Sequence, residues 1–345
     1  MNRRHFLYSS SLACLLPFTA GLTACTHSNN TELDPNKEII VGGYSETDEK
    51  GRRLNRYGVI IIQPSGDGAF NTISDFAVPY EVHLATLFPN QKSILVCSRK
   101  PGAGLLKYSL DGILEAELPP LKNQHFEGHG IFSIDEKYIY ATASDFELKS
   151  GRLLKLNSQD LSLITDYSSG GIGPHELVWQ SETHIAIANT GVLTHPDSGR
   201  KILNLADMQS TVVLFDSQQE EIIHQWQVPE QALSARHLDR MTNGDLVIGC
   251  QYKKKDQRPP CIAFANIEKG LIFAEPRNEN LYWGMKGYTA SIKGIPNSPY
   301  AMITNPQGHL LTKWQSATDK SLSSELIDQQ EIEFNQGLKI SRDGK

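Results

Sequence analysis

His129-Gly130-Ile131-Phe132, Tyr138-Ile139-Tyr140-Ala141-Thr142, Arg152-Leu153-Leu154-Lys155-Leu156 and Ser162-Leu163-Ile164-Thr165-Asp166-Tyr167 are four short runs rich in apolar, β-branched and aromatic residues. Asp, Lys, Gly, Ser and Asn separate them, and each run is too short for a helix, so the stretch reads as four strands joined by turns. The same unit recurs on both sides. Before it come His83–Leu87, Ser93–Cys97, Leu105–Tyr108 and, after an Asp111-Gly112 turn, Ile113–Leu118. After it come His175–Val178, Ile185–Ala188, Thr211–Phe215 and Ile222–Val228, then a unit led by His237 with Leu246–Gly249, Cys261–Ala265 and Leu271–Ala274. A fifth begins near Tyr288 and continues through Tyr300–Thr304, Leu310–Trp314 and Ser324–Ile327.

The leading histidines His83, His129 and His175 are spaced by 46 residues twice, within the roughly 40 to 50 residues of a propeller blade. The expected fold is therefore all-β, a β-propeller of the WD40, YVTN or quinoprotein kind; two β-sandwiches would not explain the regular period. Glu38–Tyr44, Tyr57–Gln63 and Asn71–Phe76 supply three strands ahead of the first full unit, and Gln336–Ser341 reads as a lone strand near the C-terminus. Joining these closes a ring of six blades, one of them stitched from both termini. The ending Ser341-Arg342-Asp343-Gly344 also resembles the start of a further unit, which would make seven.

Composition agrees with a folded protein of this size. Of 345 residues, 39% are hydrophobic and 21% charged, with 27 Gly and 17 Pro, which excludes disorder and collagen-like sequence. The first residues hold twin arginines in Asn2-Arg3-Arg4-His5-Phe6-Leu7, then an uncharged run from Ser9 to Ala24 that ends in Leu22-Thr23-Ala24-Cys25. This is the pattern of a twin-arginine export signal followed by a lipobox, with Cys25 as the lipidated residue. The expected layout is a signal peptide over 1–24, a flexible tether over 25–37 and one propeller domain over 38–345. Removing 1–24 takes away two of 33 basic residues and none of 39 acidic ones, moving the formal charge from −6 to −8. That balance argues against a nucleic-acid partner, and the expected location is the periplasm, attached to a membrane by the lipid alone. Three further cysteines, Cys97, Cys250 and Cys261, would follow the chain there, and Cys250 with Cys261 is a candidate disulfide.

No G-x-S-x-G, H-E-x-x-H, C-x-x-C or P-loop motif occurs. What stands out is the repeat position itself: four of the 11 histidines, His83, His129, His175 and His237, open the innermost strand of their units. In a propeller those strands line the axial channel, and imidazole is the commonest side chain holding a transition metal. The four are therefore the candidate metal ligands, for iron or copper. Loops opening on the same face add Arg99, Asp145, His195, Asp197, Arg200, Asn204 and Tyr252 as candidate binding residues, with Glu176 and Arg236 flanking two of the histidines. His195 has a simpler role available in bracing its loop, Lys253-Lys254-Lys255 reads as a solvated loop tip, and Trp179, Trp226, Trp283 and Trp314 read as core between blades.

Gly128-His129-Gly130-Ile131-Phe132-Ser133, Gly170-Gly171-Ile172-Gly173-Pro174-His175-Glu176-Leu177, Thr194-His195-Pro196-Asp197-Ser198-Gly199-Arg200 and Arg236-His237-Leu238, taken with the export signal, resemble an uncharacterised family of exported bacterial propeller proteins, a domain of unknown function. The resemblance implies a seven-bladed quinoprotein-type ring. It also implies an iron-uptake setting, because such proteins are often encoded beside imelysin-like lipoproteins and di-haem peroxidase-like proteins. This chain departs from that pattern in its lipobox and its shortened last repeat. Three functions are then open: a channel that binds a metal or a metal-bearing partner, a scaffold without chemistry that docks iron-uptake lipoproteins, and an oxidoreductase or lactonase-type enzyme using His175 and Glu176 as acid and base. The absence of a nucleophile or cofactor motif favours a non-enzyme.

Overall fold

The computed structural model describes residues 33–34, 37–65, 68–274, 279–316 and 325–331. The expected export signal, Cys25, most of the tether and the strand at Gln336–Ser341 lie outside them. Within them the chain forms six antiparallel sheets in sequence order, and the fold is a β-propeller. The first sheet contains β1 (Ile40–Thr47), β2 (Arg53–Pro64) and β3 (Phe70–Val78). The second is β4 (Val82–Leu87), β5 (Ser93–Ser98), β6 (Leu105–Ser109) and β7 (Leu114–Leu118), and the third β8 (Gln124–Phe132), β9 (Tyr138–Asp145), β10 (Ser150–Asn157) and β11 (Leu163–Ser168). The fourth is β12 (Pro174–Trp179), β13 (His184–Asn189), β14 (Thr211–Asp216) and β15 (Glu221–Gln227); the fifth is β16 (Leu233–Arg240), β17 (Leu246–Tyr252), β18 (Ile262–Asn266) and β19 (Gly270–Phe273). The sixth holds β20 (Ile292–Gly294), β21 (Tyr300–Asn305), β22 (Leu310–Gln315) and β23 (Glu325–Glu331). These are the units expected from the repeat. The first strands of successive sheets pack on one another, β4 on β1 and β8, β12 on β8 and β16, and β16 on β20.

Alternation along the second strands explains why the sheets stack. Side chains on a strand point to opposite faces in turn. On β5, Ile94 and Val96 join a cluster with Val59 and Ile61 of the first sheet, while Leu95 and Cys97 turn to Ile139, Ala141 and Leu154 of the third. On β13, Ile185 and Ile187 meet Tyr140 and Leu153, while Ala186 and Ala188 meet Leu246 and Ile248. A strand buried on both faces needs an unbroken apolar run, which is what these strands have. The fourth strands are the rims: β7, β11 and β15 are largely open and rich in charged or polar residues, which limits edge-to-edge pairing.

Four expectations change here. Trp226 and Trp314 are core, but Trp283 is 61% exposed on a short helix, α1 (Glu279–Met285), where Arg258 lies over its ring. Cys250 and Cys261 sit opposite each other in the β17–β18 pairing as free, buried thiols, as is Cys97. The tether is already docked at its end: Leu33 packs on the first sheet, and Asp34 exchanges hydrogen bonds with the Gln63 side chain at 3.1 and 2.9 Å. Lys253 is no solvated tip. Its N–H donates to Ala232 at 2.9 Å and its ammonium to Gln251 Oε1 at 2.7 Å, folding it back toward the channel.

Candidate metal centre

Each histidine-bearing strand breaks register beside its histidine. In β4 the step from Val82 to Leu84 faces the single step from Ser98 to Cys97, leaving His83 as the extra residue. In β12 Pro174 faces Asn189 and Leu177 faces Ile187, which places His175 and Glu176 in the irregular stretch. In β8 Phe126 faces Ala143 and Gly130 faces Ala141, so Glu127, Gly128 and His129 span it, and in β16 the extra residue is Arg236, directly before His237. A bulge kinks the strand and re-aims the side chains within it. Gly128 serves this geometry directly. Its φ is +102°, a region that favours glycine, and a Cβ there would stand 2.6 Å from His83 Cδ2.

The rings converge. Nε2 of His83 and Nε2 of His129 lie 2.9 Å apart, and one ligand nitrogen from each of His83, His129 and His175 falls within 4.8 Å of the others. Ring centroids of His129 and His175 are 4.5 Å apart, and His237 stands 4.9 Å from His175. The buried Thr142 hydroxyl reaches the His175 carbonyl at 3.1 Å and the His129 carbonyl at 3.3 Å, bracing the two strands together. His175 Nδ1 is buried with no hydrogen-bond partner among the described residues.

Burial disfavours the charged imidazoles. It pushes His83 down to about 3, helped by the positive charges of His237, Arg99, Arg236 and Lys100. His129 and His175 are likewise held well below the ordinary histidine range, by burial first and neighbouring positive charge second. The trio is therefore neutral at physiological pH, the protonation state in which imidazole binds metal. His237 Nδ1 donates to Glu176 Oε2 at 3.0 Å, and the same oxygen accepts from Leu238 N at 3.2 Å. Burial alone would raise Glu176, but the His237 hydrogen bond and nearby positive charge outweigh it and hold the carboxyl at about 2.

A second polar layer, of which His125, Glu127 and Ser144 were not expected from the sequence, lies beside the trio. Glu127 is fully buried, paired with Lys100 at 2.7 Å and accepting from Ser144 Oγ at 2.6 Å. His125 approaches the same carboxylate at 3.9 Å and holds Thr194 Oγ1 at 3.2 Å. The alternation His125-x-Glu127-x-His129 was the available signal. Arg236 completes the group: its Nε is buried without a hydrogen-bond partner among the described residues.

Residues 76–332 match a family described as a protein of unknown function, DUF1513. The chain belongs to this family. No curated protein sequence matches it. Among solved structures it is similar to the periplasmic gluconolactonase of Pseudomonas aeruginosa, at 12% identity over 87% of this chain and 84% of that one with TM-score 0.60. It is similar to a putative 6-phosphogluconolactonase from Bacteroides uniformis at 14% identity, over 86% and 83% of the two chains, TM-score 0.56. Hydrazine synthase of Kuenenia stuttgartiensis gives 11% identity, 81% and 84% coverage and TM-score 0.58. At such identities the likeness is one of fold.

In this DUF1513 chain the structure gathers some of the sequence-predicted residues and disperses others. His83, His129, His175, His237, Glu176 and Arg236 share the channel, and Arg99, paired with Glu81 at 3.1 Å, is close enough for its charge to act on His83. The rest brace loops. Asp145 accepts from Leu148 N at 2.8 Å, Asn204 holds Leu193 N and Gly191 O, and Tyr252 donates to Asp256 at 3.0 Å. His195 caps the 3-10 turn Pro196–Ser198 by accepting from Asp197 N, against the Phe146 ring. Asp197 and Arg200 are exposed.

Proposed function

We propose that this DUF1513 protein holds a transition-metal ion, iron or copper, in its axial channel on His83, His129 and His175. The observation that carries the reading is the convergence of three imidazoles within 4.8 Å, His129 and His175 buried and His83 half-buried. Nitrogens about 2.0–2.1 Å from one ion stand at most about 4.2 Å apart, so the rings would close by a few tenths of an ångström on binding. Nothing in a β-strand calls for this. His83 and His129 can share one proton between their Nε2 atoms, but His175 Nδ1 is buried with no hydrogen-bond partner among the described residues, and a cation accepted by all three lone pairs resolves the crowding. His237 adds a fourth imidazole beside them, with Nδ1–H tied to Glu176, the arrangement that orients a ligating histidine and leaves the lone pair on Nε2.

The lactonase reading fares less well on the geometry. A carboxyl held at about 2 stays ionised at neutral pH, so Glu176 could serve there only as a base, and a weak one. The setting we propose is periplasmic, with the chain anchored through Cys25 and a metal-bearing iron-uptake protein as partner; membrane fractionation of Cys25→Ser, expected to release the protein, tests the anchor. Elemental analysis of protein purified from the periplasm tests the metal, with about one equivalent expected. His129→Ala and His175→Ala should lose it, whereas His195→Ala should keep it. A metal-free protein that also fails to gain thermal stability with added Fe(II) or Cu(II) would refute the reading.

A further inference from the structure

The channel mouth gathers four basic side chains, and only two of them stand within ion-pair distance of a carboxylate among the described residues. Lys100 is paired with Glu127 at 2.7 Å and Arg99 with Glu81 at 3.1 Å. Lys253 Nζ, in contrast, meets the neutral amide oxygen of Gln251 at 2.7 Å, and Arg236 Nε is buried without a hydrogen-bond partner among the described residues. The two belong to paired strands: Arg236 is the bulged residue of β16, one position before His237, and Lys253 directly follows β17. Burial, then the charges of Arg236 and Lys100, holds the Lys253 ammonium well below its ordinary value. Both residues are half-buried, and neither has a carboxylate within ion-pair distance among the described residues, so an arriving counter-charge would offset the cost of their partial desolvation.

We propose that the mouth binds a small molecule through an oxyanion, a carboxylate or phosphate group clamped between Arg236 and Lys253 beside the imidazole trio. A guanidinium fork matches either oxyanion with two parallel hydrogen bonds, and the ammonium supplies a point charge. The inference deepens the metal reading and rests on it for the role of the anion as a further ligand to the ion. It does not need the metal for binding, because Arg236 and Lys253 are present without it and an arriving anion favours the charged form of Lys253.

The test is calorimetric titration of the full, metal-stripped protein with inorganic phosphate and, separately, with citrate, ionic strength being held by sodium chloride. Arg236→Gln and Lys253→Gln should each weaken binding about tenfold or more, the scale of one lost charge-assisted hydrogen bond. Circular dichroism melts confirm that each variant is folded, and Arg236→Lys, keeping the charge but not the fork, should recover part of the loss. The relative response to phosphate and citrate distinguishes the two sources of oxyanion. Binding that survives both substitutions, or that is no tighter than for chloride, overturns the proposal. Anion binding that persists in His129→Ala supports it even if no metal binds. Anion binding that requires added metal and ignores Arg236→Gln overturns it while leaving the metal reading intact.

Discussion

Replacing Gly128 by Ala tests whether the bulge of β8 exists to let two imidazoles meet. The new Cβ would lie 2.6, 2.8 and 2.9 Å from Cδ2, Cγ and Cβ of His83, in a backbone conformation of φ +102°. Left-handed backbone costs an L-residue about 1–2 kcal/mol, and overpacking a close contact adds about 1–3 kcal/mol. The expected destabilisation is therefore about 2–5 kcal/mol. It should come with displacement of the His83 ring from its 2.9 Å approach to His129. Gly244→Ala is the control, since Gly244 also has positive φ, +85°, but nothing within 4 Å of its added Cβ. It should carry only the backbone cost and leave the channel intact. Urea unfolding measures the first quantity and metal titration the second. A Gly128→Ala protein that loses no more stability than Gly244→Ala and binds metal unchanged would show that the His83–His129 approach is incidental.

Three further outcomes follow from the buried charges and thiols. In metal-free protein His83 titrates at about 3 when folded and near 6.5 when unfolded; between these values the unfolded chain binds more protons, so stability should be full above pH 6.5 and fall progressively toward pH 3. Thermal melts across that window check this, and a flat profile would contradict the buried neutral trio. Glu127→Gln strands the Lys100 ammonium, fully buried on the carboxylate side and 11% exposed on its own, and should cost about 3–5 kcal/mol in chemical denaturation, as for a broken buried ion pair. Burial pushes the Cys97 and Cys261 thiols up to about 12 and Cys250 well above its ordinary value, so none should react with a disulfide reagent at pH 8 until denaturant is added.

The repeat was legible because each blade buries both faces of its inner strands, which forces apolar runs such as Ser93–Cys97 and Tyr138–Thr142 to recur at one spacing. The polar flank of the channel was not. Composition placed the first strand of the third sheet at His129, whereas β8 starts at Gln124, since His125, Glu127 and Gly128 carry no apolar alternation and their burial depends on Lys100 and Ser144 from distant turns. Lys253 was misread for the same reason: three consecutive lysines suggest solvent, and only the fold brings Ala232 and Gln251 to the first of them. The bulges left no sequence mark at all, and register also breaks between outer strands of five sheets, so what bears on the histidines is where the breaks fall on the inner strands. In β20, the inner strand without a leading histidine, Ile292, Lys293 and Gly294 pair with Ile303, Met302 and Ala301 in unbroken register. β1 breaks register only between Ser45 and Thr47, next to its hairpin turn. A break in the ladder forfeits backbone pairing. On β4, β8, β12 and β16 the break falls at or directly beside the histidine, where a kink re-aims the side chain, and the four rings it carries converge in the channel.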